Sequence, residues 1–295
     1  MAEMFTNKTE TLTNKIDFAL IFSVNNANPN GDPLDGGRPR TTSDGYGEVS
    51  DVALKRKIRN RLQDMGKEIF VQSEDRITDG FDSLKKRYDN FFKENGTAEK
   101  KSISEAACEK WIDVRAFGQV FALKKGDSKS DSKSKGVSIG IRGPVTIQSA
   151  FSKKPITIDD IQITKSVNSE NSSDRMSSDR MSSDRMGMKY RVSGKTIYTT
   201  FGSISPQLAE KTQFSDSDAE LIKAALRTLF DNDESSARPA GSMEVLKLVW
   251  FTHNCKAGQY SSARVHRSVE VGSDGSVQVC DNDIQDLHYE ILDGR

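Results

Sequence analysis

The stretch Ile16–Val24, IDFALIFSV, decides the fold. Ile16, Phe18, Leu20, Phe22 and Val24 alternate with other residues, the period of a half-buried β-strand. It runs into NNANPNGDPLDGGRPR, Asn25–Arg40, with four asparagines, three prolines and three glycines in sixteen residues. A simple chain reversal needs far fewer turn formers, so this segment has a task beyond turning. Ser50 then stands as N-cap of a helix whose first turn holds Asp51. Leu54, Ile58, Leu62 and Met65 recur at helical spacing, and Gly66 ends the run. Lys55, Arg56, Arg59 and with them Lys57 fall away from that apolar stripe, within KRKIRNR (Lys55–Arg61), five basic residues in seven.

Farther on, a short strand is expected at Ile69–Val71. Residues 74–112 read as helical and charged, with Ser102 and Glu105 at capping-box spacing. DVRAFGQVFAL (Asp113–Leu123) reads as a strand entered through a turn, and VSIGIRGPVTIQ and PITIDDIQIT as further strands. KKGDSKSDSKSKG (Lys124–Gly136) is a polar low-complexity segment. SSDRMSSDRMSSDRM (Ser172–Met186) repeats a unit too short for a solenoid and reads as an expanded loop. KYRVSGKTIYTTFGSI resumes β character. Ser217, with Glu220 three residues on, opens a helix marked by Leu221, Ile222, Ala225 and Leu229. EVLKLVWF is the last core strand, and SVEVGSDGSVQV is a hairpin turning near Asp274-Gly275. The strongest elements run strand, helix, strand, strand, helix, strand. That order predicts an α+β fold with a ferredoxin-like, or RNA-recognition-motif-like, sheet, a single domain over 1–295 carrying long insertions.

Apolar residues make up 35% and charged residues 29% of the 295, as in a soluble protein with much solvated or partner-facing surface. No apolar run approaches the roughly 20 residues of a membrane span, and the N-terminal MAEMFTNKTETLTNK lacks the apolar core of a secretory signal. Three cysteines at unpaired spacings fit a reducing cytoplasm. The 43 basic residues balance 43 acidic ones, which argues against indiscriminate polyanion binding. The charge is uneven, however. KRKIRNR lies early, while DSDAE, DNDE and DNDIQD lie late, so a neutral total can conceal one basic face.

Asn26, Asn28, Asn30 and Gly31 follow the start of a calcium loop, but its twelfth position is Gly37 where a bidentate carboxylate is needed. The phosphate-loop pattern is absent. His253, Cys255, His266, Cys280 and His288 lack zinc-site spacing, so no metal and no cofactor are expected. No nucleophile signature accompanies the three histidines. RAFGQVF (Arg115–Phe121) partly matches the base-stacking strand of RNA-recognition motifs, with Ala116 in place of a glycine and Gln119 in place of an aromatic. KRKIRNR is usually just a solvated helix face. Here it follows a loop of asparagine side chains and glycine amides able to contact phosphates, which together describe a surface that holds a backbone and reads few bases.

NPNGDP with GGRPR, then DVALKRKIRNRL, DVRAFGQVF, IRGPVTIQSAF, GMKYRV, FGSISPQLAEKTQFS and DNDESSARPAG, run in order from about residue 16 to residue 250. In these motifs the chain resembles the repeated backbone subunit of the type I-C CRISPR Cascade complex. After RV it has SGKTIY where that family has Gly-Leu-Tyr, and the SSDRM expansion is peculiar to this chain. The resemblance implies a right-hand-like subunit, with a palm, a helical fingers insertion at 66–112 and a β-hairpin-like thumb at 163–198. It implies a non-catalytic protein that polymerises along CRISPR RNA and leaves the bases free to pair with a target DNA strand. Its partners would be copies of itself, other Cascade subunits and a recruited nuclease-helicase, with no membrane. Asn26, Asn28, Asn30 and Arg38 in the loop, Lys55, Arg56 and Arg59 on the helix, and Arg115, Arg142, Lys189, Arg191 and Arg238 in the other motifs become RNA-contact candidates. Met186 and Met188, flanking Gly187, are candidates for an apolar wedge between bases; the competing possibility is that both pack under a hairpin. Two rivals stand beside this expectation. One is a guided RNA endoribonuclease of the type III backbone kind, using Asp32 or Asp35. The other is a stand-alone single-strand RNA binder.

Overall fold

The computed structural model describes residues 10–95, 100–123, 137–164 and 185–295. The segment IDFALIFSV forms β1 (Ile16–Asn25), and every residue of it except Asn25 is buried. It is therefore buried on both faces, where alternation alone predicts one. Phe18, Leu20, Phe22 and Val24 enter one hydrophobic core, while Ala19 and Ile21 enter a second on the opposite face.

After β1 the loop makes a small ladder, β2 (Gly31–Asp32) with β3 (Arg38–Pro39), and then edge strand β4 (Tyr46–Val49). Helix α1 (Asp51–Asp64) starts where expected: the Ser50 side chain accepts from the Ala53 amide. Gly66 follows its last turn in left-handed backbone, φ 75°, a conformation that costs glycine least. Leu54, Ile58 and Leu62 are buried, but so is Lys57, which does not fall away from the apolar stripe. Residues 69–71 form no strand. Their amides are occupied instead, since the Asp113 carboxylate accepts from the Phe70 and Val71 N–H groups at 2.7 and 3.1 Å.

The helical stretch resolves into α2 (Leu84–Asn95) and α3 (Lys100–Lys110), so Ser102 lies inside α3 and not at its N-cap. DVRAFGQVFAL is part helix: α4 (Ile112–Phe117) turns at Gly118, φ 79°, directly into β5 (Gly118–Leu123). A Cβ on Gly118 would lie 2.2 Å from the Ile141 carbonyl oxygen, so this abrupt corner requires glycine. β5 pairs with β6 (Val137–Arg142). Phe70, Tyr88, Phe91, Trp111, Phe121 and Ile139 build a third, aromatic core that joins α2, α3 and this hairpin. The packed unit thus runs past residue 112, the expected end of the helical insertion.

β7 (Val145–Ile147), β8 (Ala150–Pro155), β9 (Ile158–Thr164), β10 (Arg185–Val192) and β11 (Lys195–Ile204) follow. Among the described residues β9 and β10 pair only with each other, as an antiparallel ribbon from Ile158↔Val192 outward. Residues 195–198, expected within the thumb, belong to β11, where Tyr198 is fully buried. KKGDSKSDSKSKG and all of the SSDRM repeat but Arg185 and Met186 lie outside the described residues.

α5 (Pro206–Thr212) leads to α6 (Asp216–Arg227), whose N-cap is Ser215 in a capping box with Asp218, two residues before the expected Ser217. β12 (Met243–Thr252) follows, then α7 (Ser262–Arg267), the expected hairpin β13 (Val269–Val271) and β14 (Val277–Val279), and β15 (His288–Asp293), which the sequence patterns do not mark. The result is a mixed fold on a central antiparallel sheet in the order β15-β12-β1-β11-β8-β4, with β7 also beside β11. Helices α1 and α6 bury their apolar faces in the core that receives Phe18 and Phe22. Val265, Val269, Val279, Ile284 and Leu287 cover the other face over β1 and β12. That cover is why β1 carries apolar residues at odd as well as even positions.

Candidate nucleic-acid interface

The loop asparagines, expected to face phosphates, bond within the protein. Asn26 adopts left-handed backbone, φ 51°, a region asparagine tolerates better than most residues. Its Oδ1 accepts from the Gly194 amide at 3.0 Å. Asn28 is buried; its Nδ2 donates to the Gly37 carbonyl at 2.7 Å, and its Oδ1 has no partner among the described residues. Asn30 Oδ1 accepts from both the amide and the hydroxyl of Ser50, each at 2.9 Å, which ties the loop to the start of α1. At the loop tip the Asp32 side chain accepts from the Leu34 amide at 3.0 Å, and Leu34 stands 95% exposed.

The basic helix is largely neutralised. Lys55 pairs with Asp51 at 2.9 Å one turn earlier. Arg56 donates to the Val71 carbonyl at 3.0 Å. Lys57 pairs with Asp233, and burial pushes its ammonium down to about 8. Arg59 Nε lies 2.9 Å from the buried Asp113 carboxylate. Arg61 donates to Thr228 Oγ1 at 2.7 Å. These cations sit at the junction of α1 with neighbouring segments, so their first partners are protein groups.

Arg115 lies on α4, off any strand, and grips Asp218 with two bonds of 2.8 Å. Arg238 Nε is 3.0 Å from Asp233. Arg38 contacts Asp160 at 2.5 Å, and Arg191 contacts Asp159 at 3.1 Å, both on the β9–β10 ribbon. Arg142, exposed at the end of β6, and Lys189, half-exposed on β10, make no ion pair with any described residue. Met188 is 47% exposed on the ribbon; for Met186 only its place on β10 is described.

The structure thus gathers Arg38, Met188, Lys189 and Arg191 at one ribbon and the loop beside it, while Arg59, Arg115 and Arg238 are drawn into internal pairs elsewhere. Sequence reading missed Asp160 and Tyr190, which face Arg38; only their alternation with Ile161 and Lys189 marked them as strand residues.

The late histidines and cysteines do not converge on a metal: no group of three or more His, Cys, Asp or Glu among the described residues is arranged to hold one. His253 Nδ1 accepts from the Gln259 amide at 2.9 Å, so its Nε2 donates to the buried Asp17 at 2.9 Å. Cys255 is exposed. No helix among the described residues is long and apolar enough to cross a membrane.

The central antiparallel sheet flanked by helices, with a separate two-stranded ribbon, defines a mixed α/β architecture. The family profile of CRISPR-associated protein Cas7 matches residues 14–291, and the chain belongs to that family. A curated relative, CRISPR-associated protein Cas7 of Haloferax volcanii, is 24% identical over 274 residues, covering 90% of this chain and 78% of the relative. Among solved structures, a chain of a CRISPR RNA-guided surveillance complex in a pre-nicking state is 14% identical with a TM-score of 0.45, covering 89% of this chain and 84% of that one. A second CRISPR RNA-guided surveillance complex chain is 16% identical with a TM-score of 0.44, covering 89% and 77%.

Proposed function

We propose that this chain is a non-catalytic backbone subunit of a type I-C Cascade complex. Copies polymerise along CRISPR RNA, hold its sugar–phosphate chain and leave the spacer bases free to pair with a target DNA strand. Other Cascade subunits complete the assembly, and a separately recruited nuclease-helicase cuts the DNA. The observation that carries this is membership of the Cas7 family across residues 14–291. The run β12-β1-β11-β8 supports a ferredoxin-like palm: with β7 and β8 together as the second strand, the spatial order is fourth, first, third, second. The unit of α2, α3 and β5–β6 takes the part of fingers, and the β9–β10 ribbon that of the thumb. Met188 is then the described candidate for the wedge, and Arg142 and Lys189 are the cations open to phosphate. Of Asp32 and Asp35, the two aspartates a guided ribonuclease could use, Asp32 caps the loop tip.

Size-exclusion chromatography with and without CRISPR RNA tests the assignment. Particle mass should grow with guide length in steps of one subunit; a protein that stays monomeric on every guide ends it. Complementary RNA with magnesium should remain intact, and cleavage lost in Asp32→Ala or Asp35→Ala would put the nuclease rival in its place.

A further inference from the structure

The loop after β1 brackets the β9–β10 ribbon at two separate heights. At the base, Asn26 exchanges two bonds with Gly194: its amide donates to the Gly194 carbonyl at 3.1 Å, and its Oδ1 accepts from the Gly194 amide at 3.0 Å. Beside it the Val192 amide donates to the Ala27 carbonyl at 2.9 Å. Farther out, Arg38 Nη2 donates to Asp160 Oδ2 at 2.5 Å, and its guanidinium lies 4.6 Å from the centre of the Tyr190 ring. Asp160 and Tyr190 are register partners, two pairs beyond Ile158↔Val192, which is roughly 7 Å along a strand. Side chains alternate along a strand, so Met188, two residues from Tyr190, shares the ribbon face that Arg38 holds.

A two-stranded ribbon is marginal by itself and, joined to the sheet at one end, would pivot there. A second anchor farther out removes the pivot. The loop is itself fixed: Asn28 holds Gly37, and Asn30 holds Ser50 at the start of α1. The loop's Arg38 is faced by Asp160 and the neighbouring Arg40 by Asp32, and on the ribbon Arg191 is faced by Asp159. Such a locally neutral set is a poor phosphate cradle.

We infer that the Asn26–Arg38 loop is a positioning element that sets the angle of the ribbon against the sheet, and that Arg38 acts through Asp160 and Tyr190 and not as a phosphate ligand. The inference rests on the ribbon serving as the thumb that meets the guide. It explains why a connection between a strand and a helix is so long and so rich in asparagine.

The test uses the full chain with Arg38→Ala, Asp160→Asn and the exchanged pair Arg38→Asp/Asp160→Arg. Without RNA, hydrogen exchange at the Val192 and Gly194 amides should quicken by about tenfold in each single variant and recover in the exchanged pair, with β1 exchange unchanged as the check on folding. With guide RNA, Asp160→Asn should impair ordered assembly as Arg38→Ala does. A phosphate-binding Arg38 predicts the reverse: Asp160→Asn frees the cation and tightens RNA binding, and the exchanged pair fails. Either that result or unaltered exchange in both single variants overturns the bracket. Should the parent protein bind no guide at all, the proposed function falls, while the exchange data still decide the bracket.

Discussion

Lys57, on the buried side of α1, is paired with Asp233 in the segment after α6, with side chains only 6% and 13% exposed. Arg238 shares the same carboxylate, and the Lys57 ammonium lies 5.7 Å from the centre of the Phe230 ring. One aspartate therefore serves two cations where α1 meets the loop that carries Ala237, whose carbonyl receives the Asn28 amide at 2.9 Å.

Burial holds the Lys57 ammonium near 8 against an ordinary 10.5. Between those values the unfolded chain binds more protons, so stability contributed by this site rises as pH climbs from about 8 to about 10.5. Below about 8 the buried charge is a cost. Lys57→Met, which keeps the length of the chain and removes the charge, should be near neutral or stabilising at pH 7, whereas Asp233→Asn should lose about 3 to 5 kcal/mol by stranding the lysine. Urea midpoints at pH 7 and pH 9.5 check both, and a parent–Lys57→Met difference that does not shift with pH refutes the assignment.

Asp113 joins α1 to the aromatic core. Its carboxylate, 1% exposed, accepts from Arg59 and from the amides of Phe70 and Val71. Asp113→Ala strands one cation, the buried Phe70 N–H and the part-buried Val71 N–H, and should cost about 3 to 5 kcal/mol. Asp113→Asn retains one acceptor and should cost less. Thermal melting ranks the two, and equal melting temperatures for alanine variant and parent would contradict the geometry.

Free and committed cations should behave differently towards RNA. Alanine at Arg142 or Lys189 should flatten the dependence of log affinity on log salt by about 0.7 per phosphate contact on a single strand, with unchanged melting temperature. Alanine at Arg59 or Arg115 should lower the melting temperature and leave the slope alone. Fluorescence anisotropy at two or more salt concentrations distinguishes them, and the opposite pattern would return the RNA contact to α1 and α4.

Met188→Ala removes no charge, so RNA affinity should stay within about twofold while ordered assembly and target binding weaken. In the parent assembly, target mismatches should be tolerated at the period of the subunits if this side chain displaces a base. Uniform mismatch sensitivity along the spacer would remove Met188 from that role.

Local chemistry settled much of this protein. The alternation in IDFALIFSV, the Ser50 cap, the apolar spacing of Leu54, Ile58 and Leu62, and the turn at Asp274-Gly275 each depend on residues a few positions apart, and each recurs in the fold. The motif order also pointed to the family. Tertiary structure alone decided where the charges go, because the partners lie far apart in the chain: Arg59 and Asp113 are 54 positions apart, Arg115 and Asp218 are 103, and Lys57 and Asp233 are 176. A basic run reads the same whether it faces water or a carboxylate brought in by a distant helix or loop. The burial of both faces of β1 and the edge strand β15 escaped the patterns for a related reason: a strand's period records its own alternation, but which face is covered depends on segments that fold back from the far end of the chain.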